Sequence, residues 1–347
     1  MGLWYSTREA VKRAAQINGP DEHPSIDRLL ESTSRELERV FNRIFYPLTA
    51  LKYFPYPSSE GPVNYRYWLG EDLIEVTLLV SGGAIILAAD YFKEPVNYGP
   101  PYNRIEIDLS SSAYWQSGPT SQRAIEVTGR WGFCENSVAA GALADDYDDA
   151  ATALDVSDSS LIGVGDLILI EDERMIVNEK TLLSTGVAVD MVGDIAADEA
   201  VIAITVDDGT LICQGEVITI DAERMLVEGI VGDVLGVKRA YDGSALAVHL
   251  DDALVYAPRT LTVQRGAVGT VAIAHVDTTL ISKNVAPGLI SELCLAETLY
   301  ALAQEKGHMA LTVGQGEAVR EISGKGIADV RKRAEDAYKR TRGPRSI

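Results

Sequence analysis

Residues 24–46 read PSIDRLLESTSRELERVFNRIFY, a pattern of helical period. Ile26, Leu29, Leu30, Leu37, Val40, Phe41, Ile44 and Phe45 fall on one stripe at helical spacing. The opposite face carries Asp27, Arg28, Glu31, Arg35, Glu36, Glu38, Arg39 and Arg43. Isolated pairs of opposite charge on such a face stabilise by only about 0.2–0.5 kcal/mol each. Burial of the apolar stripe must therefore fix the helix. Pro24 suits a first helical turn, and Pro47 is expected to end it. The predicted helix is roughly 30 Å long, which suits a bundle or the wall of a ring.

Two further helices are expected to pack beside it. Ser6 and Glu9 form a capping box that opens a short helix with Val11, Ala14 and Ala15 on one face. Asn18, Gly19 and Pro20 stop it, so the first two helices make a hairpin. After Pro287, a stripe of Leu289, Ile290, Leu293, Ala296, Leu299, Tyr300 and Ala303 predicts another helix, ended by Gly307. The expected fold class is α+β, with a helical-bundle core and β-regions inserted into it. Residues 1–47 are the N-terminal hairpin of the core, and 284–310 its C-terminal helix. Residues 48–134 form an aromatic-rich β-domain, and 135–283 an acidic insert with β-repeats. Residues 311–347 are a glycine hinge and a basic docking tail.

The 347 residues predict two or three domains, and a hydrophobic content of 46% lets each build a core. No apolar run reaches the length of a membrane helix, so no membrane partner is expected. The N-terminus lacks the pattern of a signal peptide, and Gly2 with Ser6 only partly matches a myristoylation signal. Cys134, Cys213 and Cys294 are too far apart for a metal motif and odd in number, which fits a reducing compartment. The net charge of −20 is concentrated: residues 135–282 hold 27 acidic and 7 basic residues. The rest of the chain is balanced, so the acidic stretch is a separate unit.

Between residues 48 and 131 the pattern changes to period two. Residues 63–67, 74–80, 85–87, 105–109 and 125–128 read as strands. Aromatics are dense here, among them Tyr53, Trp68, Phe92, Tyr98, Tyr114 and Trp115. They suit a small β-core plus a protein interface, or a sugar- or nucleic-acid-binding platform. Asp145, Asp146, Asp148 and Asp149 could hold calcium, but the glycine and distal glutamate of an EF-hand loop are missing.

An internal repeat follows. Residues 154–177 read LDVSDSSLIGVGDLILIEDERMIV, and residues 204–227, fifty positions on, read ITVDDGTLICQGEVITIDAERMLV. A second echo at a spacing of 26 relates Arg239, Gly243, His249 and Asp251 to Arg265, Gly269, His275 and Asp277. Repetition of strand–turn–strand texture predicts duplicated β-modules. The repeated Glu-Arg-Met is expected to pair glutamate with the adjacent arginine on the wet face while methionine packs. His249 and His275 read as equivalent turn positions, since no companion ligand is spaced for a metal.

Gly314, Gly316, Gly324 and Gly326 predict a hinge, since the glycine-lysine-serine/threonine of a phosphate loop is missing. From Arg331 onward stand seven basic and two acidic residues, with Ile327, Val330, Ala334, Ala337 and Tyr338 on one face. Such a tail can touch DNA phosphates or dock on a protein. No catalytic triad, zinc-protease motif or dinucleotide-binding motif is present, and His23 and His308 lack companions. The expectation is a non-enzyme with neither cofactor nor metal.

The run 5–13, YSTREAVKR, together with Ile26-Asp27-Arg28, residues 32–37 and Arg43 through Pro47, resembles head–tail connector (adaptor) proteins of tailed phages, the actinobacteriophage type in particular. Residues 52–57, 102–112, 124–132, 223–227 and 263–266 extend the resemblance over most of the chain. It implies a ring of this chain, usually twelve copies, that sits under the portal protein and extends the DNA channel. Double-stranded DNA would pass without sequence-specific contact, and a downstream stopper or tail-completion protein would follow. The implied location is the virion head–tail interface, with assembly in host cytoplasm. The resemblance assigns portal docking to the tail: Ile327, Val330, Arg331, Lys332, Arg333, Tyr338, Lys339, Arg340 and Arg342. On the charged face of the long helix, Arg28, Arg35, Glu38, Arg39 and Arg43 are expected to form the ring interface. The alternatives are a carbohydrate- or surface-binding decoration module of a virion, testable at Trp68 and Trp115, and a virion hydrolase with an unrecognised site.

Overall fold

Period-two patterning governs more of the chain than helical patterning does. The computed structural model describes residues 3–17, 19–56, 65–191, 194–306, 312–313, 320–321 and 325–340. It is 38% strand and 23% helix. Two antiparallel sheets form the body, so the expected helical-bundle core is overturned. The helices supply one of four buried clusters. The apolar stripes of the helices are real, but the insert and the aromatic region bury more chain than the helices do.

The first sheet holds β1 (Leu48–Phe54), β2 (Arg66–Ser81), β3 (Ala84–Ile86), β4 (Tyr91–Glu94), β5 (Tyr102–Ile107) and β6 (Ile125–Trp131). Its order is β1-β6-β2-β5-β4, with β3 beside β2. The sequence suggested two strands where β2 is one. A register shift between Trp68 and Leu73, with Gly70 at φ +68°, lets the strand continue through a bulge. Leu73, Leu79, Ile105, Ile125, Val127 and Trp131 form the core. The Trp131 indole N–H donates to the Ala50 carbonyl at 3.1 Å, which satisfies its buried polar atom.

The second sheet holds β7 (Ser137–Ala142), β8 (Ala153–Asp155), β9 (Leu167–Ile170), β10 (Glu173–Ala188), β11 (Ala203–Thr205), β12 (Val217–Ile220), β13 (Glu223–Val231), β14 (Val234–Lys238), β15 (Leu254–Gln264) and β16 (Leu280–Asn284). The repeat becomes two modules, one nested in the other. β9–β10 and β12–β13 are equivalent hairpins, turned by Glu171-Asp172 and Asp221-Ala222. Glu171 and Asp221 both sit at positive φ, +52° and +53°, as such two-residue turns require. Bridges Leu143–Val156 and Tyr147–His275 in the outer module match Val189–Val206 and Ile195–His249 in the inner one. The long strands β10 and β15 pair along their length and carry the chain from the outer module into the inner one and back. Each module keeps its own apolar core.

Four helices pack together: α1 (Arg8–Ala15), α2 (His23–Phe41), α3 (Gly288–Lys306) and α4 (Lys325–Tyr338). Thr7, not Ser6, caps α1, its hydroxyl accepting from the Ala10 N–H. The long helix stops at Phe41, five residues before its expected end. Asn42 adopts the left-handed conformation (φ 54°) and its N–H donates to the Glu38 carbonyl. Phe45 leaves the helix yet stays fully buried. Leu30, Leu37, Phe41, Ile290, Leu293 and Ala334 join the helices in one core. The expected hinge glycines Gly314, Gly316 and Gly324, with Gly307 and His308, lie outside the described residues; Gly326 is part of α4. Among the described residues, no helix is long and apolar enough to cross a membrane.

One arginine ties helices to modules. Arg8 is 3% exposed. Its Nε and Nη2 donate to the two oxygens of Asp27 on α2 at 2.8 and 2.6 Å, and its Nη1 donates to Glu179 on β10 at 2.8 Å. Replacing Arg8 leaves Asp27 buried without its partner. Arg8→Ala is expected to cost about 3–5 kcal/mol in urea denaturation. A loss below about 0.5 kcal/mol, the size of an exposed pair, would remove this pin from the account.

Candidate functional site

The residues with the most catalytic-looking chemistry are Glu173 and Glu223, both fully buried. Glu173 accepts from Arg265 Nε and Nη2 at 2.8 and 2.7 Å, from the Gly266 and Ile273 N–H groups at 2.9 and 3.0 Å, and lies 3.0 Å from His275 Nε2. Glu223 repeats this with Arg239 Nε and Nη2 at 2.7 and 2.8 Å, the Ala240 and Ala247 N–H groups at 2.9 Å each, and His249 Nε2 at 2.9 Å. The other ring nitrogen of each histidine meets a turn carboxylate, Glu171 at 2.9 Å and Asp221 at 2.8 Å. Burial alone would raise both glutamate carboxyls. The arginine, the backbone donors and the histidine outweigh it and bring each to about 2.

This corrects two expectations. The glutamates do not pair with the adjacent arginines on the wet face; Arg174 instead meets Glu135 at 2.5 Å and Arg224 meets Asp242 at 2.6 Å. The histidines are not bare turn residues; each is held between two carboxylates. Met175 and Met225 are fully buried, as expected. The 26-residue echo carried the missing signal, because it couples an arginine to a histidine in each copy. With every oxygen bonded and no exposure, these centres offer nothing to a substrate. Among the described residues no group of histidine, cysteine and carboxylate side chains is arranged to hold a metal. Asp148 accepts from the Ala150 and Ala151 N–H groups and ties the loop's own backbone, while Asp146 accepts from the Asp277 N–H and ties the loop to a remote segment.

Sequence reasoning also missed the joint between modules. Glu216 accepts from Arg259 at 2.9 and 2.7 Å and from the Ser159 hydroxyl at 2.9 Å. The equivalent outer-module residue is Asp166, which lies 3.4 Å from Lys283. A carboxylate at matching repeat positions was the available sign.

The proposed ring-interface residues are mostly spoken for within the chain. Arg28 meets Glu305 at 2.7 Å. Arg35 meets Glu38 at 2.6 Å, and Glu38 also accepts from the Tyr5 hydroxyl. Arg39 pairs with Glu36 at 2.7 Å and stays largely exposed. Arg43 stacks over Phe133 at 4.9 Å and lies 3.5 Å from the buried Asp72. The tail folds back on its own chain. Ile327 and Val330 pack on the helical core. Tyr338 meets Phe45 and Phe133 edge-on at 5.9 and 5.3 Å. Arg331 pairs with Glu297 at 2.7 Å and Lys339 with Glu335 at 3.1 Å, and Arg333 reaches Glu292 at 3.9 Å. The Arg340 N–H donates to the Phe41 carbonyl. Lys332 is exposed; Arg342 lies outside the described residues.

One surface left open among the described residues is the outer face of the first sheet. Strand register places Leu51, Thr128 and Leu78 in one row and Tyr53, Glu126, Val80 and Ile85 in the next. Leu51, Tyr53, Leu78 and Ile85 are 41–63% exposed. Phe92 and Trp68 are more than half exposed on the same sheet, with the Arg104 guanidinium 5.0 Å above the Trp68 ring. Trp115 is buried, its indole N–H donating to the Tyr65 carbonyl. No protein-family model, curated protein or solved structure matches the chain.

The glutamate centres make a pH prediction. A carboxyl held near 2 stabilises fully above about pH 4.5, and that stabilisation is lost as pH falls toward about 2, because the unfolded chain takes up protons first. Glu173→Gln and Glu223→Gln are each expected to cost about 3–5 kcal/mol at pH 7 in guanidinium denaturation. Each should also flatten the loss of stability between pH 5 and pH 3. Variants that keep the wild-type acid slope would show that these carboxyls titrate normally.

Proposed function

We propose that the chain is a non-enzymatic assembly protein, a head–tail connector (adaptor) subunit of a tailed phage. The single observation that carries an assembly role is the open apolar face built from Leu51, Tyr53, Leu78 and Ile85. Contiguous apolar surface of this kind marks an interaction site. The chain's strongest acid–base groups are meanwhile sealed in structural centres. The occupant proposed for the face is a second copy of the chain, in a closed ring that needs one surface to meet a different surface of its neighbour. The ring would sit under a portal protein and above a stopper or tail-completion protein. Its acidic insert would repel DNA phosphates and keep the passing duplex from sticking. The resemblance over residues 5–47 supports the phage assignment. A sugar platform gains no support, since Trp115 is buried and Trp68 lies under a guanidinium.

The test is negative-stain microscopy of the purified chain mixed with portal rings of the same virion. The expected image is a ring stacked on the portal, with an axial hole wide enough for duplex DNA. Leu51→Asp combined with Ile85→Asp should keep the chain folded and abolish the ring. Rings that form equally well with both aspartates would move the interface elsewhere. A chain that stays monomeric and ignores the portal at every concentration would overturn the adaptor reading.

A further inference from the structure

A cavity of about 650 Å³ lies between α1, the start of α2 and both β-modules. Its volume falls in the range of pockets that hold drug-sized ligands. Six cations line it, Arg8, Lys12, Arg13, Lys180, Arg224 and Lys283, against four carboxylates. That balance reverses the surrounding stretch, where 27 acidic residues face 7 basic ones over residues 135–282.

The four carboxylates are already engaged. Glu9 accepts from the Val164 N–H, Glu179 from Arg8, and Asp221 meets His249. Asp242 takes both Lys12 at 3.0 Å and Arg224 at 2.6 Å. Arg8 also meets Asp27, and Lys283 meets Asp166 at 3.4 Å, so most of the lining cations are matched. Arg13 has no ion-pair partner among the described residues and brings a positive charge that nothing nearby neutralises. Nε2 of His23 is buried and has no hydrogen-bond partner. Burial, with Arg8 and Lys12 nearby, lowers the His23 pKa and favours the neutral ring. Leu161, Leu182, Val217 and Pro258 supply apolar wall. Leu161 and Leu182 are 44% and 53% exposed.

We propose that this cavity binds a small organic anion, a phosphate or carboxylate group on an apolar body. Lys12, Arg13 and Arg224 hold the anionic group. Leu161 and Leu182 cover the apolar part. The proposal is independent of the ring assignment, since it uses none of the open sheet face.

Calorimetric titration of the full chain with 1-naphthyl phosphate tests it, with 1-naphthol and inorganic phosphate titrated separately. The expected result is one site per chain, with 1-naphthyl phosphate bound about tenfold or more tighter than either half. Arg13→Glu should weaken binding about tenfold at an unchanged melting temperature, and Arg13→Gln should weaken it less. Leu182→Trp, which crowds the apolar wall, should weaken it about tenfold. Trp68→Ala, on the sheet face, should leave it intact. Equal affinity for 1-naphthol would overturn the anionic half of the proposal, and equal affinity for inorganic phosphate the apolar half. An absence of binding, or binding that ignores both Arg13→Glu and Leu182→Trp, would overturn the site altogether.

Discussion

A buried carboxylate held by one guanidinium, two backbone N–H groups and one imidazole organises each β-module. Burying a lone carboxylate is costly, and here the cost is offset because both oxygens are fully bonded. Glu173 and Glu223 each gather groups remote in sequence: an arginine, a following loop and a histidine strand. Each centre therefore closes its module. The hairpin turn, with Glu171 or Asp221 at positive φ, sits beside it and adds the second carboxylate to the histidine. Removing the glutamate or the arginine leaves a buried charge without its match.

Nesting follows from where those partners come from. Glu223 finds Arg239 and His249 within the inner module. Glu173 finds Arg265 and His275 only after the chain has returned along β15. The outer module thus closes around a finished inner one. Glu216, Arg259 and Ser159 then lock the two together, and Arg8 fixes the pair to α1 and α2. In the inner module, Gly209 stands where the outer one has Ser159, and its N–H is already given to Asp233. The serine contact made across the first joint has no counterpart there. With the interior charges closed in this way, the apolar face of the first sheet remains open to a partner.

Much of this was legible in the sequence, and the rest was hidden for physical reasons. The repeat is a local pattern, and it reappears as the equivalent hairpins β9–β10 and β12–β13. The stripe of α2 placed Leu30, Leu37 and Phe41 in the core. Its end was misplaced because Asn42 can stop a helix without glycine or proline. The balance between helices and sheets was misjudged because a strong helical stripe says which face is buried, not how much of the molecule it holds. The partners of Glu173 could not come from its own neighbourhood, since Arg265 is 92 positions away. Spacing alone favoured the adjacent Arg174. The aromatics, Tyr53 among them, suggested an interface, but Leu51 and Ile85 look like ordinary core residues until strand register puts them outside.

Side-chain oxidation by hydroxyl radicals, read by mass spectrometry on dilute and on assembled chain, separates an open sheet face from sealed carboxylate centres. Tyr53, Leu78, Ile85 and Phe92 are expected to react readily in the dilute chain and to be protected on assembly. His249 and His275, sealed in their centres, should be unreactive in both states. Assembly with no protection on the sheet face, or ready oxidation of the two histidines, would contradict that arrangement.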